Sequence, residues 1–263
     1  LFTNGRPTVE RILNKSEAII QIDIPLVVGV NRISAIAYDE NGLSSNLKWI
    51  DVVSTATGSS KPSLYVLGIG ISQYPNLSGQ WQLDFAHTDA ENILNVFNNQ
   101  KKKLFNKVRT SLLTNRQASA HEISEALDAL SAINTNDIAV IFMAGHGIRD
   151  KDGTYYFLTS DGTLDNPNAG GISWNLLSGY LNRIKGRVIL FLDTCHSGSI
   201  ISETVVPNDE LSQEFFSGKR GGTMVFSASK GRQYSMESPD IGGGFGIFSY
   251  ALTQGLSVKS KDA

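Results

Sequence analysis

The sequence predicts an α/β protein with a mainly parallel sheet that helices cover on both faces. Largely apolar runs, typical of strands buried on both sides, occur at 64–69, 138–143 and 187–192. Amphipathic segments with helical spacing alternate with these runs. Buried strands that alternate with amphipathic helices indicate a parallel sheet between two layers of helices.

The first 55 residues predict a β segment that precedes this α/β part. Alternating apolar and polar residues predict strands at 18–24 and 31–39, and an apolar stretch predicts another at 47–53. Residues 56–62 contain the Gly, Ser and Pro that are typical of a linker. We therefore expect one β segment over 1–55, a linker, and a second domain over 63–263.

Two capping boxes predict helix starts within the second domain. Thr88 is followed three positions later by Glu91, and Ser119 is followed in the same way by Glu122. Apolar residues at helical spacing come after each box. The remaining predicted elements are a hairpin strand at 155–158, helices at 174–184 and 248–256, and a strand at 223–227.

Composition limits the classes of function. The chain has 263 residues, a net charge of −2 and 41% apolar residues, which favours a globular protein without the basic surface of a nucleic-acid binder. No apolar run is long enough to span a membrane. A single cysteine excludes an internal disulfide and a multi-cysteine zinc site.

The chain begins at Leu1 without an initiating Met, and we expect it to be a segment of a longer protein. Its compartment, its oligomeric state and its physiological substrate therefore stay open.

That single cysteine and one histidine follow two of the predicted strands. Cys195 comes after the run 187–192, and His146 comes after the run 138–143. The carboxyl ends of parallel strands meet at one edge, where ligands bind in open α/β sheets. An imidazole promotes the thiolate that nucleophilic attack needs, and the backbone N–H groups of Cys195 and Gly147 are the natural oxyanion donors. The alternative is a buried core cysteine and a surface histidine.

These motifs resemble those of the caspase-like cysteine peptidases, in particular the metacaspase and bacterial orthocaspase branch. Residues 193–198 are similar to the motif D-S-C-H-S-G, residues 144–147 to S-G-H-G, and residues 74–90 to Y-x-L-x-G-C-x-x-D-A. The resemblance covers 62–258 and implies a three-layer fold with a six-stranded, mainly parallel sheet. Residues 1–55 resemble the closing strands of a bacterial immunoglobulin-like domain.

The resemblance also implies a substrate preference. In metacaspases, the aspartates that match Asp89 and Asp193 form a pocket for Arg or Lys before the scissile bond, and Ala144 and Ser227 match further substrate-binding positions. Ala144 stands where the family often has Ser. Two carboxylates suit a basic side chain, and the positive end of a helix dipole would keep Asp89 ionised. The alternative is that Asp89 and Asp193 have purely structural roles.

Two further properties follow from the resemblance. Caspase-like enzymes are often cut after the nucleophile, and Lys219 and Arg220 would form a site that the enzyme itself could cleave. The chemistry requires no cofactor, but some metacaspases need calcium. The acidic residues between the two motifs leave calcium open, although they equally suit loops and turns: Asp150, Asp152, Asp161 and Asp165.

The predicted function is therefore a cysteine endopeptidase that acts on peptides or proteins with a basic residue before the cleaved bond. Its Cys-His dyad would act through a thioester. Neither a nucleic acid nor a membrane is an expected partner. Two alternatives stay open: a catalytically silent caspase-like interaction or signalling module, and a clostripain-like or gingipain-like peptidase.

Overall fold

A computed structural model describes residues 1–4, 6–13, 18–55, 61–99, 104–194, 223–228, 237–238 and 244–257. The described residues between 1 and 60 form one compact unit. Those between 61 and 194, together with 224–257, belong to a second unit.

The first unit contains a four-stranded antiparallel sheet. Its strands are β1 (Phe2–Thr3), β2 (Arg6–Pro7), β3 (Gly29–Ala35) and β4 (Lys48–Ser54), in the order β2-β1-β3-β4. The last two lie close to their predicted positions. The predicted strand at 18–24 is wrong, because these residues form no strand and the sheet consists of the four strands above. Ile22 and Ile24 of that segment are only half-buried.

The second unit is built on a central sheet with the order β12-β11-β7-β5-β6, in which β5, β6, β7 and β11 are parallel neighbours. This confirms the predicted fold class, although the described residues form five strands in this sheet rather than six. A small antiparallel sheet has the order β10-β9-β8, and β13 pairs with β14. The strands are β5 (Leu64–Gly70), β6 (Val108–Thr114), β7 (Ile138–Gly145), β8 (Gly147–Arg149), β9 (Tyr155–Leu158), β10 (Gly171–Ser173), β11 (Arg187–Thr194), β12 (Thr223–Ser227), β13 (Glu237–Ser238) and β14 (Phe245–Gly246).

Helices cover both faces of this sheet. They are α1 (Ala86–Asn98), α2 (Ala120–Ala129), α3 (Trp174–Arg183) and α4 (Ile247–Ser257), with 3₁₀ turns at Gly79–Trp81, Asn115–Gln117 and Leu130–Ala132. The chain moves through α1 from β5 to β6, then back through α2 to β7 and on through α3 to β11. Parallel crossovers are right-handed, so the direction in which the chain crosses the sheet decides which face the connecting helix covers. The connection through α1 runs in one direction, and those through α2 and α3 run in the opposite direction. Helix α1 therefore lies on one face of the sheet, and α2 and α3 lie on the other. Helix α4 packs against α1.

Among the described residues, no helix combines the length and the apolar character that a membrane span requires.

The two predicted capping boxes differ in outcome. The Ser119 hydroxyl accepts a hydrogen bond from the Glu122 N–H at 3.2 Å, so the predicted cap of α2 is confirmed. The predicted start of α1 at Thr88 is wrong, because the helix begins at Ala86. An N–H group in the first turn of α1 has another acceptor, because the Ser72 hydroxyl accepts from the His87 N–H at 3.2 Å. Sequence analysis also missed β6, an edge strand with exposed residues that gives little apolar signal.

Close packing brings the start of α1 against the end of β5. A side chain at Gly70 would collide with the backbone oxygen of Ala86 and would lie 2.8 Å from the Cβ atom of Ala90. Glycine at this position therefore allows the helix to approach the strand. As a result, the first turn of α1, which contains Asp89, lies beside the end of the sheet.

Asp137 fixes the other end of the sheet. This aspartate is 5% exposed, and its carboxylate accepts from the Ser63 N–H, just before β5, at 2.8 Å and from the Asn134 N–H at 3.1 Å. Its backbone oxygen accepts from the Arg187 N–H, where β11 begins, at 2.9 Å. One residue therefore aligns the starts of β5, β7 and β11.

We predict that Asp137→Ala lowers the free energy of unfolding by about 3 kcal/mol, because it leaves buried N–H groups without an acceptor. Urea unfolding followed by circular dichroism measures this change. The control is Asp128→Ala, which removes an exposed ion pair with Arg183 (2.7 Å) and should cost no more than about 1 kcal/mol. Equal losses in the two variants would contradict the role given to Asp137.

Candidate active site

His146 lies at the carboxyl end of β7, in the link to β8. The side chain is 1% exposed, and its backbone N–H donates to the Tyr74 hydroxyl oxygen at 2.9 Å. The His146 carbonyl accepts from the Leu158 N–H at 2.9 Å, which ties the link to β9. Hydrogen bonds on both sides of the residue therefore fix the backbone that carries the imidazole.

The imidazole has a defined hydrogen-bond partner. Its Nε2 atom lies 2.8 Å from the backbone oxygen of Trp81, in the 3₁₀ turn Gly79–Trp81. A carbonyl oxygen can only accept, so Nε2 carries the proton, and Nδ1 carries the lone pair when the ring is neutral. The Trp81 carbonyl thus selects the tautomer in which Nδ1 is the base.

Two aromatic rings enclose the imidazole. The Tyr74 ring centroid lies 4.8 Å from that of His146, and the Trp81 ring packs edge-on at 5.4 Å. Gln82 holds this loop closed, because its side-chain oxygen accepts from the Tyr74 N–H at 2.8 Å and its amide donates to the Tyr74 carbonyl at 3.1 Å. The enclosed imidazole therefore has little freedom to rotate.

Asp89 and Asp193 meet at the same end of the sheet. Asp89 lies in the first turn of α1 and Asp193 near the end of β11, and both are buried. The Gly246 N–H lies 3.1 Å from Asp89 Oδ2 and 3.3 Å from Oδ1, and the Ser249 hydroxyl donates to Asp193 Oδ2 at 3.1 Å. Strand β14, which contains Gly246, and helix α4, which contains Ser249, therefore hold the two carboxylates.

The Asp89 and Asp193 carboxylates both lie close to Gly246, and therefore close to each other. A Cβ atom at this position would lie 2.7 Å from Asp89 Oδ2 and 3.2 Å from Asp193 Oδ2. The distance between Asp89 Oδ2 and Asp193 Oδ2 is therefore at most the sum of these two distances. Two like charges so close together favour a neighbouring cation, and a guanidinium group can bind both carboxylates at once.

Other predicted site residues lie at the same edge of the sheet. Ala144 pairs with Asp193 in the ladder between β7 and β11, and it is buried. Gly147, the predicted oxyanion donor, begins β8 directly after His146. Ser227 ends β12, and the N–H of the next residue, Ala228, donates to the Leu192 carbonyl of β11 at 3.0 Å.

Three predicted residues lie outside the described residues: Cys195, Lys219 and Arg220. The last residue described before this gap is Thr194, which pairs with Gly145 at the ends of β11 and β7. The described chain therefore carries His146 and the residue before Cys195 to neighbouring strand ends.

Two of the acidic residues between the two motifs, Asp150 and Asp161, accept hydrogen bonds from nearby backbone N–H groups. Asp150 Oδ1 accepts from the N–H groups of Asp152 and Thr154 at 3.0 and 2.8 Å. Asp161 Oδ1 accepts from the Ala120 N–H at 3.0 Å, at the start of α2. Within the ranges that the structure describes, no three His, Cys, Asp or Glu side chains form a group able to hold a metal ion.

Sequence analysis missed the groups that orient the predicted residues. The Trp81 carbonyl is a backbone atom, and any residue type could supply it. Gly246 and Ser249 stand near the start of the predicted last helix, where neither gives a functional signal on its own. Tyr74 belongs to a motif that carried the resemblance, but its contact with the His146 N–H depends on tertiary structure.

Comparison with known protein families gives one match. The family model described as caspase domain (Peptidase C14) matches residues 64–263, which include every element of the second unit from β5 to α4. No curated protein sequence matches the chain.

We predict that the neutral imidazole of His146 is protonated at Nε2, because the Trp81 carbonyl accepts that proton. Long-range ¹H–¹⁵N correlation spectra at a pH above the imidazole titration distinguish the two tautomers. His121, an exposed residue 3.5 Å from Glu125, provides an internal reference. A His146 ring protonated at Nδ1 would contradict this prediction.

Proposed function

Because this chain belongs to the caspase-domain family of cysteine peptidases, we propose that it is an endopeptidase that cleaves peptide bonds after Arg or Lys. The observation that carries the specificity is the approach of the buried Asp89 and Asp193 carboxylates to the same point beside Gly246. The tautomer of His146, set by the Trp81 carbonyl, supports its role as the base.

In the proposed reaction, the Cys195 thiol transfers its proton to Nδ1 of His146, and the sulfur attacks the carbonyl carbon of the scissile bond. The N–H groups of Gly147 and Cys195 donate to the oxyanion that forms. The C–N bond then breaks, the leaving amine takes the proton from the imidazolium, and the acyl group stays on sulfur as a thioester. Water, deprotonated by His146, hydrolyses this thioester and regenerates the thiol.

In this proposal, the acidic pair binds the basic side chain of the substrate. The positive side chain of the substrate residue before the scissile bond lies against Asp89 and Asp193, where an Arg side chain can form paired hydrogen bonds. The hydrogen bonds from Gly246 and Ser249 keep the carboxylates in place before substrate arrives. Lys219 and Arg220 have the side chains that this pocket would accept, so we include self-cleavage after either residue in the proposal.

The test is hydrolysis of fluorogenic peptides that differ only in the residue before the cleaved bond: Arg, Lys, Asp or Leu. Assays run with and without calcium, and Cys195→Ala is the inactive control. We predict cleavage after Arg and Lys that disappears in Cys195→Ala. Cleavage after Asp would contradict the specificity, and no cleavage of any peptide would favour the catalytically silent alternative.

Two variants test the pocket itself in this assay. Asp89→Asn should lower kcat/KM for the Arg peptide by about a hundredfold, because it removes one charge of a buried pair, whereas the exposed Asp152→Asn should change nothing. Gly246→Ala should also lower this rate, because its methyl group would lie 2.7 Å from Asp89 Oδ2 and would displace that carboxylate. Gly255→Ala, in the helix α4 that follows Gly246, meets no atom within 4 Å and should keep full activity. Unchanged rates in Asp89→Asn and Gly246→Ala would refute the pocket.

A further inference from the structure

Gln82 is an exposed residue with no part in the proposed mechanism, yet its side chain is held at three points. Its side-chain oxygen accepts from the Tyr74 N–H at 2.8 Å, and its amide donates to the Tyr74 carbonyl at 3.1 Å. The same amide nitrogen donates to the Ser78 carbonyl at 3.4 Å. Because a long side chain loses conformational entropy when it is fixed, so many bonds from one exposed amide call for an explanation.

The two segments that Gln82 joins are the two that hold His146. The buried Tyr74 hydroxyl accepts from the His146 N–H at 2.9 Å, and it lies against the end of β7, where a Cβ atom at Gly145 would be 2.7 Å away. Trp81, the residue before Gln82, supplies the carbonyl that accepts from Nε2 of the imidazole at 2.8 Å. Gln82 therefore links the group that holds the His146 backbone to the group that holds its ring.

Other hydrogen bonds close the base of this loop without the side chain of Gln82. The Leu83 N–H donates to the Ser72 carbonyl at 2.9 Å, and the Ser72 N–H donates to Asn115 Oδ1 at 2.9 Å. The loop therefore stays attached to the rest of the unit when the Gln82 side chain is removed. The change that we expect is confined to how the turn Gly79–Trp81 lies against the imidazole.

We propose that Gln82 is a positioning residue for the reaction, whose amide fixes the Trp81 carbonyl and thereby the orientation of the His146 ring. In the proposed reaction, Nδ1 of this ring accepts a proton from Cys195, and a displacement of about 1 Å in such a geometry can cost about a hundredfold in rate. A ring no longer held at Nε2 also populates the tautomer whose Nδ1 carries a proton and cannot accept one. This inference rests on the proposed function, because it assigns Gln82 to the step in which Cys195 is deprotonated.

Asn76 provides a matched control in the same loop. It is also exposed, and its side-chain amide donates to the Asp161 carbonyl at 2.9 Å. Truncation of Asn76 or of Gln82 therefore removes an exposed amide that bonds to the backbone. Because Asn76 bonds to neither of the groups that hold His146, its truncation should cost a little stability and leave turnover unchanged.

The experiment compares Gln82→Ala and Asn76→Ala with the unaltered chain in three measurements: hydrolysis of the best substrate of the peptide panel, thermal unfolding, and ¹H–¹⁵N correlation spectra of the His146 ring. For Gln82→Ala we expect kcat to fall about tenfold with little change in KM. The ¹⁵N shifts of the two ring nitrogens should move toward each other, because the second tautomer becomes populated. In Asn76→Ala, kcat and the ring shifts should match those of the unaltered chain, and both variants should lose similarly little in Tm.

Each other outcome overturns the inference. An undiminished kcat in Gln82→Ala, beside cysteine-dependent activity of the unaltered chain, overturns it alone and leaves the proposed function intact. A lower kcat with unchanged ring shifts also overturns it, because Gln82 would then act by a route other than His146. A Tm loss far above that of Asn76→Ala gives Gln82 a merely structural role, whatever happens to kcat. Activity that survives in Cys195→Ala, or no activity in the unaltered chain, overturns the proposed function and this inference together.

Discussion

The parallel register of β5, β7 and β11 is the constraint on which the candidate site depends. Asp137 aligns the three strands at their starts, with a carboxylate that accepts from Ser63 and a backbone oxygen that accepts from Arg187. Since residues pair one to one along the ladders, this alignment carries through to the other edge of the sheet. There, Asp193 lies beside Ala144, at the strand ends that lead to His146 and Cys195.

The same edge contains polar groups that could not be buried without fixed partners. Asp89 and Asp193 are nearly inaccessible to solvent, and burial of a carboxylate costs several kcal/mol unless it is hydrogen-bonded. The Gly246 N–H and the Ser249 hydroxyl supply such bonds, and the Trp81 carbonyl does the same for the His146 imidazole. The groups that stabilise the fold here are therefore also the ones that orient the proposed chemistry.

The sequence predicted those parts of the fold that depend on local pattern. The strands at 64–69, 138–143 and 187–192 were correct, because buried parallel strands are continuous apolar runs. Strand β6 was missed because an edge strand carries exposed polar residues, and α1 was misplaced because Ser72, far from it in sequence, accepts from its first turn. The residue motifs indicated His146 and both aspartates as candidates. The role of a backbone carbonyl such as that of Trp81 cannot be recognised from the sequence, because every residue type has one.

The most direct test of the account measures how fast Cys195, the only cysteine of the chain, reacts with two peptidyl chloromethyl ketones. The two reagents differ only in whether Arg or Asp occupies the position beside the reactive ketone, and intact-mass spectrometry follows the adduct. We predict alkylation by the Arg reagent at least about a hundredfold faster, since in the proposed pocket only its side chain would pair with the buried carboxylates. Equal rates, or faster reaction with the Asp reagent, would contradict it.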